Sequence, residues 1–157
     1  MADQAERIPV DDDYLRALGR AAYNFAYLEW GIVWLTEIIK FGFLSEVRQL
    51  TAGQIANRFS QAVSKLADDD ANKLSLQLLA SSFADLVEDR NRLMHGNPFT
   101  AEGGEQRLLY DGRHGRKDWT IRLIDEFSEQ TATASIEAGR LLHGGLLASY
   151  QKNRARR

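Results

Sequence analysis

Hydrophobic positions near the start of the chain recur at alternating steps of four and three residues. The series is Tyr14, Leu18, Ala21, Phe25, Leu28, Ile32, Leu35 and Ile39. This spacing places its members on one face of an α-helix. The acidic run Asp11–Asp13 can cap the N-terminus of that helix, and Gly42 can end it. We therefore predict a first helix over residues 10–42.

The same helix carries a second apolar stripe on another side. Its members are Tyr23, Tyr27, Trp30, Trp34 and Ile38. A helix that is apolar on two sides must be covered on two sides, by a central position in a bundle or by another subunit. Large apolar patches are rarely left exposed, and the other helices are few. The stripe therefore favours a homodimer.

Two further helices are predicted over 51–67 and 70–96. Thr51 and Gln54 form a capping box for the first of them, and the acidic run 68–70 is expected to cap the second. Their apolar faces are Ile55, Phe59, Val63 and Leu66, and then Leu76, Leu79, Phe83, Leu86 and Leu93. Gly96 and Pro98 end the longer helix.

The helical period disappears between residues 100 and 123. Two β-prone runs, 106–111 and 117–123, flank a turn at 112–115, so we predict a β-hairpin that projects from the bundle. A last helix follows over 124–152, and 153–157 is a basic tail. The stripe of this helix is rich in small residues, which allow another backbone to approach: Ile124, Phe127, Thr131, Ala134, Ala138, Leu141, Gly145 and Ala148.

The predicted fold is all-α: a four- to five-helix bundle with a small β-hairpin insertion before the last helix, in a single domain spanning 1–157. The chain has 157 residues, of which 44% are hydrophobic, enough for a packed core without disulfides. It has no Cys, so a disulfide frame, a thiol nucleophile and a cysteine zinc site are excluded. The acidic N-terminal run and the absence of a long apolar stretch predict a soluble, cytoplasmic protein with no membrane partner.

Most familiar catalytic signatures are absent from the sequence. No phosphate-binding glycine loop or nucleophile elbow occurs. The histidines, His95, His114 and His143, lack the spacing of a metal site, so we expect neither a metal nor a cofactor. His114 is expected to be a solvated turn residue and His143 a partly buried helix residue.

The end of the third helix carries the strongest candidate chemistry. Arg90 occupies a position on the otherwise apolar stripe, and Asn91 and His95 lie four residues apart on one face. Together they supply a guanidinium for an anion, an imidazole that titrates near neutrality and an amide to orient it. An ideal helix separates Arg90 from His95 by about 140°, so their heads converge only through distortion or a second chain. The residues alone favour an interpretation in which Arg90 forms an ion pair with an Asp or Glu on another helix and His95 is only a helix-end residue.

Arg90-Asn91, three further residues and His95, at a helix end in a small helical domain, resemble the HEPN superfamily. The hallmark of that superfamily is Arg, four to six residues and His, often with a polar residue directly after the Arg. The long aromatic-rich first helix, the Asn-Arg-Leu-x-His-Gly run over 91–96 and the long final helix resemble its bacterial members.

The resemblance implies a helical bundle that dimerises and brings two Arg/His sites into one cleft. It also implies a metal-independent endoribonuclease, of the toxin–antitoxin or anti-phage type, with RNA as substrate and a cognate antitoxin as a candidate partner. His95 would act as general base or acid, Arg90 would stabilise charge on the phosphate and Asn91 would orient His95. The product would carry a cyclic phosphate.

Residues around this motif extend the candidate site. Glu29 lies off both apolar stripes of the first helix and could add a polar contact, although the motif does not include it. The net charge of −2 argues against an extended nucleic-acid surface, but Arg113, Arg116 and Lys117 could form a local basic lip for RNA. The alternative is a non-catalytic helical dimer or interaction module, or a nucleotide-binding HEPN-like protein.

Overall fold

Four long helices surround one hydrophobic core, and a small sheet covers one end of it. The computed structural model describes residues 11–113, 115–148 and 152. The elements are α1 Asp12–Ile39, α2 Phe43–Glu46, α3 Ala52–Ser64, α4 Lys73–Met94, β1 Asn97–Thr100, β2 Gln106–Gly112, β3 Gly115–Trp119 and α5 Ile121–Leu141. The first helix packs along α5 and against α3, and α4 packs against α3 and α5. Within these ranges no helix is long and apolar enough to span a membrane.

The first apolar stripe of α1 faces the core as predicted. Tyr14, Phe25 and Leu28 are buried, and Asp11 caps the helix by accepting a hydrogen bond from the backbone N–H of Asp13. The helix ends at Ile39, three residues before the predicted end. Gly42 follows in a left-handed conformation at φ +95° and turns the chain into α2. This single turn, and the 3₁₀ turn after it, lie outside the predicted helices.

The capping box of α3 is confirmed, since Gln54 N–H donates to Thr51 Oγ1 and Thr51 N–H donates to Gln54 Oε1. The predicted cap of α4 is wrong. That helix begins at Lys73, and its N-cap residue, Asn72, makes no side-chain capping bond. Asp70 instead accepts a hydrogen bond from the N–H of Asn72, which closes a turn before the helix.

The predicted hairpin is part of a larger sheet. Three antiparallel strands follow one another in the order β1-β2-β3, and the predicted turn joins β2 to β3. The short first strand contains Pro98, which a sheet tolerates on an edge strand. The last strand ends at Trp119 because the Thr120 hydroxyl caps α5, which therefore begins at Ile121 rather than at 124.

The sheet is docked on the bundle, so the expectation that it projects is wrong. The Tyr14 hydroxyl donates to the Trp119 carbonyl over 2.7 Å and accepts from the Leu108 N–H over 2.9 Å. Trp119 is fully buried and packs edge-on against Phe127. One α1 side chain thereby joins β2 and β3 to the core. Burial raises the pKa of this tyrosine hydroxyl, and the Leu108 N–H opposes that shift.

The small residues of α5 pack against α1. A Cβ added at Gly31 would lie 3.6 Å from the Cβ of Ala138, so the two helices approach closely. After Leu141 the helix is interrupted within Leu142–Leu146, where Gly144 and Gly145 leave helical geometry and Gly145 has φ +119°. The predicted stripe therefore stops, and Gly145 and Ala148 are exposed. The predicted solvated His114 and the basic tail 153–157 lie outside the described residues.

Candidate functional site

Arg90 is held by an aromatic ring and an amide. Its guanidinium carbon lies 5.5 Å from the centroid of the Phe25 ring on α1. Its Nη1 donates to Asn91 Oδ1 over 3.0 Å. No carboxylate among the described residues lies within ion-pair distance of the half-buried guanidinium. The ion pair that the residues alone favoured is therefore not formed within this part of the chain.

A small pocket opens beside Arg90, between α1 and α4. Its volume is about 120 Å³. The lining residues are Ala21, Ala22, Phe25, Ala26, Glu29, Arg90, Leu93, Met94 and Phe127. Burial raises the pKa of the Glu29 carboxyl, and the positive charge of Arg90 partly opposes the shift. The pocket therefore joins a cation to a carboxyl group on a second helix.

His95 stands apart from this pocket. It is exposed at the C-terminal end of α4, where its backbone N–H donates to the Asn91 carbonyl over 3.0 Å. The Asn91 amide oxygen bonds to Arg90, and no hydrogen bond joins the Asn91 and His95 side chains among the described contacts. Within one chain, Arg90 thus contacts Asn91 and shares a pocket with Glu29, whereas His95 does not line that pocket.

Gly96 fixes the turn that follows His95. A Cβ at this position would lie 2.9 Å from the Leu108 Cβ and 3.3 Å from the Leu93 carbonyl oxygen. Only glycine lets β2 pack this closely over the end of α4. The sheet thereby sets the direction in which the chain leaves His95.

Lys117, predicted to contact RNA, is held in a structural contact. Its Nζ lies 2.9 Å from Asp89 Oδ1 and 4.1 Å from the centroid of the Trp119 ring. Asp89 also accepts a hydrogen bond from Arg92 over 3.0 Å. The charge of Lys117 is therefore neutralised where β3 meets α4, and sequence reasoning missed Asp89 entirely.

Two exposed arginines remain of the predicted basic lip, and two further basic residues of this region, Arg107 and Arg122, are in ion pairs. Arg107 pairs with Asp118 over 2.8 Å, and Arg122 pairs with Glu126. Arg113 and Arg116 are exposed at the β2–β3 turn, and neither forms an ion pair with a described residue. These two side chains keep a full charge available for a phosphate.

The second apolar stripe of α1 is largely uncovered. Tyr23, Tyr27 and Trp30 are 71%, 66% and 53% exposed, and Trp30 lies edge-on to half-buried Trp34. Ala22, Ala26 and Glu29 each precede a stripe residue by one position, about 100° around the helix, so the stripe lies beside the face of α1 that lines the Arg90 pocket. The backbone that approaches the small-residue stripe of α5 is that of α1, so this stripe is not open to a second subunit over its buried part.

A wider groove lies elsewhere, between α4 and α5. Its volume is about 590 Å³, and none of the predicted site residues lines it. Its polar wall is formed by Glu126, Glu129 and Glu137, the last paired with Arg140. An acidic groove repels phosphate, so the Arg90 pocket is the better candidate for an anion site.

The chain matches no protein-family model, and no curated protein or solved structure is significantly similar to it.

Proposed function

We propose that this protein is a metal-independent endoribonuclease of the HEPN type. The observation that carries the proposal is the Arg90 guanidinium, half-buried at a pocket and without a carboxylate partner among the described residues. A structural arginine is ordinarily neutralised by an ion pair, because an unpaired buried charge is costly. Phe25 and Asn91 hold Arg90 without cancelling its charge, which leaves it able to bind a phosphate.

The reaction follows from the groups at the end of α4. The ribose 2′-hydroxyl attacks the neighbouring phosphate, the bond to the 5′-oxygen breaks, and a cyclic phosphate is left. His95 acts as a general acid or base, and Arg90 stabilises the charge that develops on the phosphate. Asn91 orients the guanidinium, a different role from the one that the resemblance implies for it.

A homodimer supplies what one chain lacks. Because His95 does not line the Arg90 pocket of its own chain, the proposed site is complete only when a second copy brings its imidazole near. The exposed stripe of Tyr23, Tyr27 and Trp30 lies beside the face of α1 that lines this pocket and provides an apolar surface for that contact.

The proposed setting is a cytoplasmic toxin or anti-phage component. RNA is its substrate, with Arg113 and Arg116 contacting the phosphate backbone at the edge of the sheet. A cognate antitoxin would restrain such an activity. In this proposal Lys117 stabilises the end of α4 through its contact with Asp89 and does not bind RNA.

The decisive experiment is RNA cleavage in the presence of EDTA. The wild type is expected to cut, and His95→Ala is expected to lose about 10²–10⁴-fold in rate, the usual contribution of a positioned acid or base. His143→Ala is the matched control, since the structure places His143 in an exposed position and not in the partly buried one that the sequence predicted. No cleavage by the wild type, or equal cleavage by His95→Ala, would overturn the proposal.

The exposed α1 stripe also suits a second candidate, a non-catalytic helical dimer or interaction module, including one that binds a nucleotide without cutting RNA. A chain that is dimeric by light scattering yet inert towards RNA, with Arg90→Ala having no effect on nucleotide binding, would favour the plain interaction module.

A further inference from the structure

We propose that Glu29 is the general base of this site and takes the 2′-hydroxyl proton of an RNA whose phosphate is bound at Arg90. The inference rests on the proposed ribonuclease function and assigns the two proton transfers to different residues. Glu29 lies on α1, outside the Arg/His motif.

The geometry places Glu29 at the phosphate subsite. The carboxyl group and the Arg90 guanidinium line one pocket from opposite helices, and no ion pair closes it. Ala26 and Ala22, about one and two turns before Glu29, line the pocket with small side chains that leave space in front of the carboxyl group. A ligand with one oxygen on Arg90 can therefore present a neighbouring hydroxyl to Glu29.

The electrostatics of the pocket suit a base. Among the described residues that line it, Arg90 is the only other charged group, and the rest are alanines, aromatic rings, Leu93 and Met94. Burial outweighs the opposing charge of Arg90, and the pKa of Glu29 lies above the ordinary glutamate value. A carboxylate with a raised pKa accepts protons better than an exposed one, and a bound phosphate strengthens this effect.

The proposed step balances without any co-reactant. The proton of the 2′-hydroxyl passes to a Glu29 carboxylate oxygen while the 2′-oxygen bonds to phosphorus. The bond from phosphorus to the 5′-oxygen breaks, and the protonated imidazole of His95, contributed by the second copy of the chain, gives its proton to that leaving oxygen. The products are a 2′,3′-cyclic phosphate and a 5′-hydroxyl end. Water then returns both groups to their starting protonation states.

The test compares pH–rate profiles of RNA cleavage. Glu29→Gln is expected to lower the rate by about 10²–10³-fold and to abolish the rise in rate on the acidic side of the profile. Glu29→Asp keeps a carboxylate and is expected to retain that rise at a reduced rate. Glu129→Gln, an exposed glutamate on α5, is the matched control and is expected to keep the wild-type profile.

The outcomes separate the two proposals. If the wild type cleaves RNA and Glu29→Gln keeps the rise in rate on the acidic side of its pH–rate profile, the role of Glu29 is overturned and the ribonuclease proposal stands. If Glu29→Gln fails to fold, the folded Glu29→Asp variant decides: loss of the rise in rate on the acidic side of its profile overturns that role as well. No cleavage by the wild type overturns the ribonuclease itself and the inference that depends on it.

Discussion

The Lys117 ammonium lies 2.9 Å from the Asp89 carboxylate, and this contact fastens β3 to α4 one residue before Arg90. Both side chains are about three-quarters buried, at 28% and 24% exposure. The sheet thus braces the end of α4 from which the candidate site is built. The strand β3, which carries residues predicted to bind RNA, thus packs against the helical turn that contains Arg90.

Replacing Lys117 should therefore cost stability. Lys117→Ala removes the Asp89 contact and the packing on Trp119, and we expect the free energy of unfolding to fall by about 1–3 kcal/mol. Arg116→Ala, an exposed change on the same strand, should stay within about 0.5 kcal/mol. Urea denaturation measures both. A normal stability for Lys117→Ala, with weakened RNA binding, would restore the original binding role.

Gly96 offers a test of how closely the sheet packs over the motif. Gly96→Ala places a methyl group 2.9 Å from the Leu108 Cβ, and we expect a loss of about 1–3 kcal/mol. Gly53→Ala is the control, because that position on α3 has open space and alanine favours helix by up to about 1 kcal/mol. Thermal unfolding should therefore shift in opposite directions. A stable Gly96→Ala protein would contradict the close approach.

Two neighbouring arginines should fail in different ways. Arg90→Ala loses only the hydrogen bond to the Asn91 amide and the contact with the Phe25 ring. We therefore expect its melting temperature to be nearly unchanged or raised while RNA cleavage is lost. Arg92→Ala removes a hydrogen bond to Asp89 and should lower the melting temperature while retaining measurable cleavage. Calorimetry and the cleavage assay separate the two. Strong destabilisation by Arg90→Ala would indicate a structural role.

The dimer prediction can be tested through the α1 stripe. Trp30→Glu puts a charge into the proposed apolar contact, and we expect light scattering to show a monomer at micromolar concentration. Ile136→Glu is the matched control, because Ile136 is 75% exposed on α5, away from the stripe. A dimer that survives Trp30→Glu, or a monomeric wild type, would refute this interface.

Helices were predictable because their signals are local. The steps of three and four in α1 and α4, and the Thr51–Gln54 box, are read within one segment and agree with the structure. The first strand was missed because its four residues include Pro98, and its pairing depends on β2. No local pattern specifies that partner.

The candidate site was predictable only in part. Arg90 was conspicuous because it interrupts an apolar stripe. Phe25, whose ring contacts Arg90, belongs to the apolar stripe of α1, and nothing in the sequence distinguished it from an ordinary core residue. The Lys117–Asp89 contact joins residues 28 positions apart. Such contacts depend on how the elements pack, so sequence spacing alone did not reveal that Lys117 contacts Asp89.

The pH dependence of stability gives an independent measure of Glu29. Because its folded-state pKa is raised, ionisation of Glu29 costs stability as pH rises from the unfolded glutamate pKa through the folded one. Glu29→Gln cannot ionise, so its stability relative to the wild type should increase between about pH 4 and pH 7. Asp68→Asn should change in the opposite direction, mostly below about pH 4, because the hydrogen bond from Lys73 lowers the pKa of Asp68 and its ionisation favours folding. Urea unfolding from about pH 3 to pH 7 measures the differences. If the relative stability of Glu29→Gln instead fell with pH, the attraction to Arg90 would outweigh burial, and the carboxyl would be too weak a base for the role proposed above.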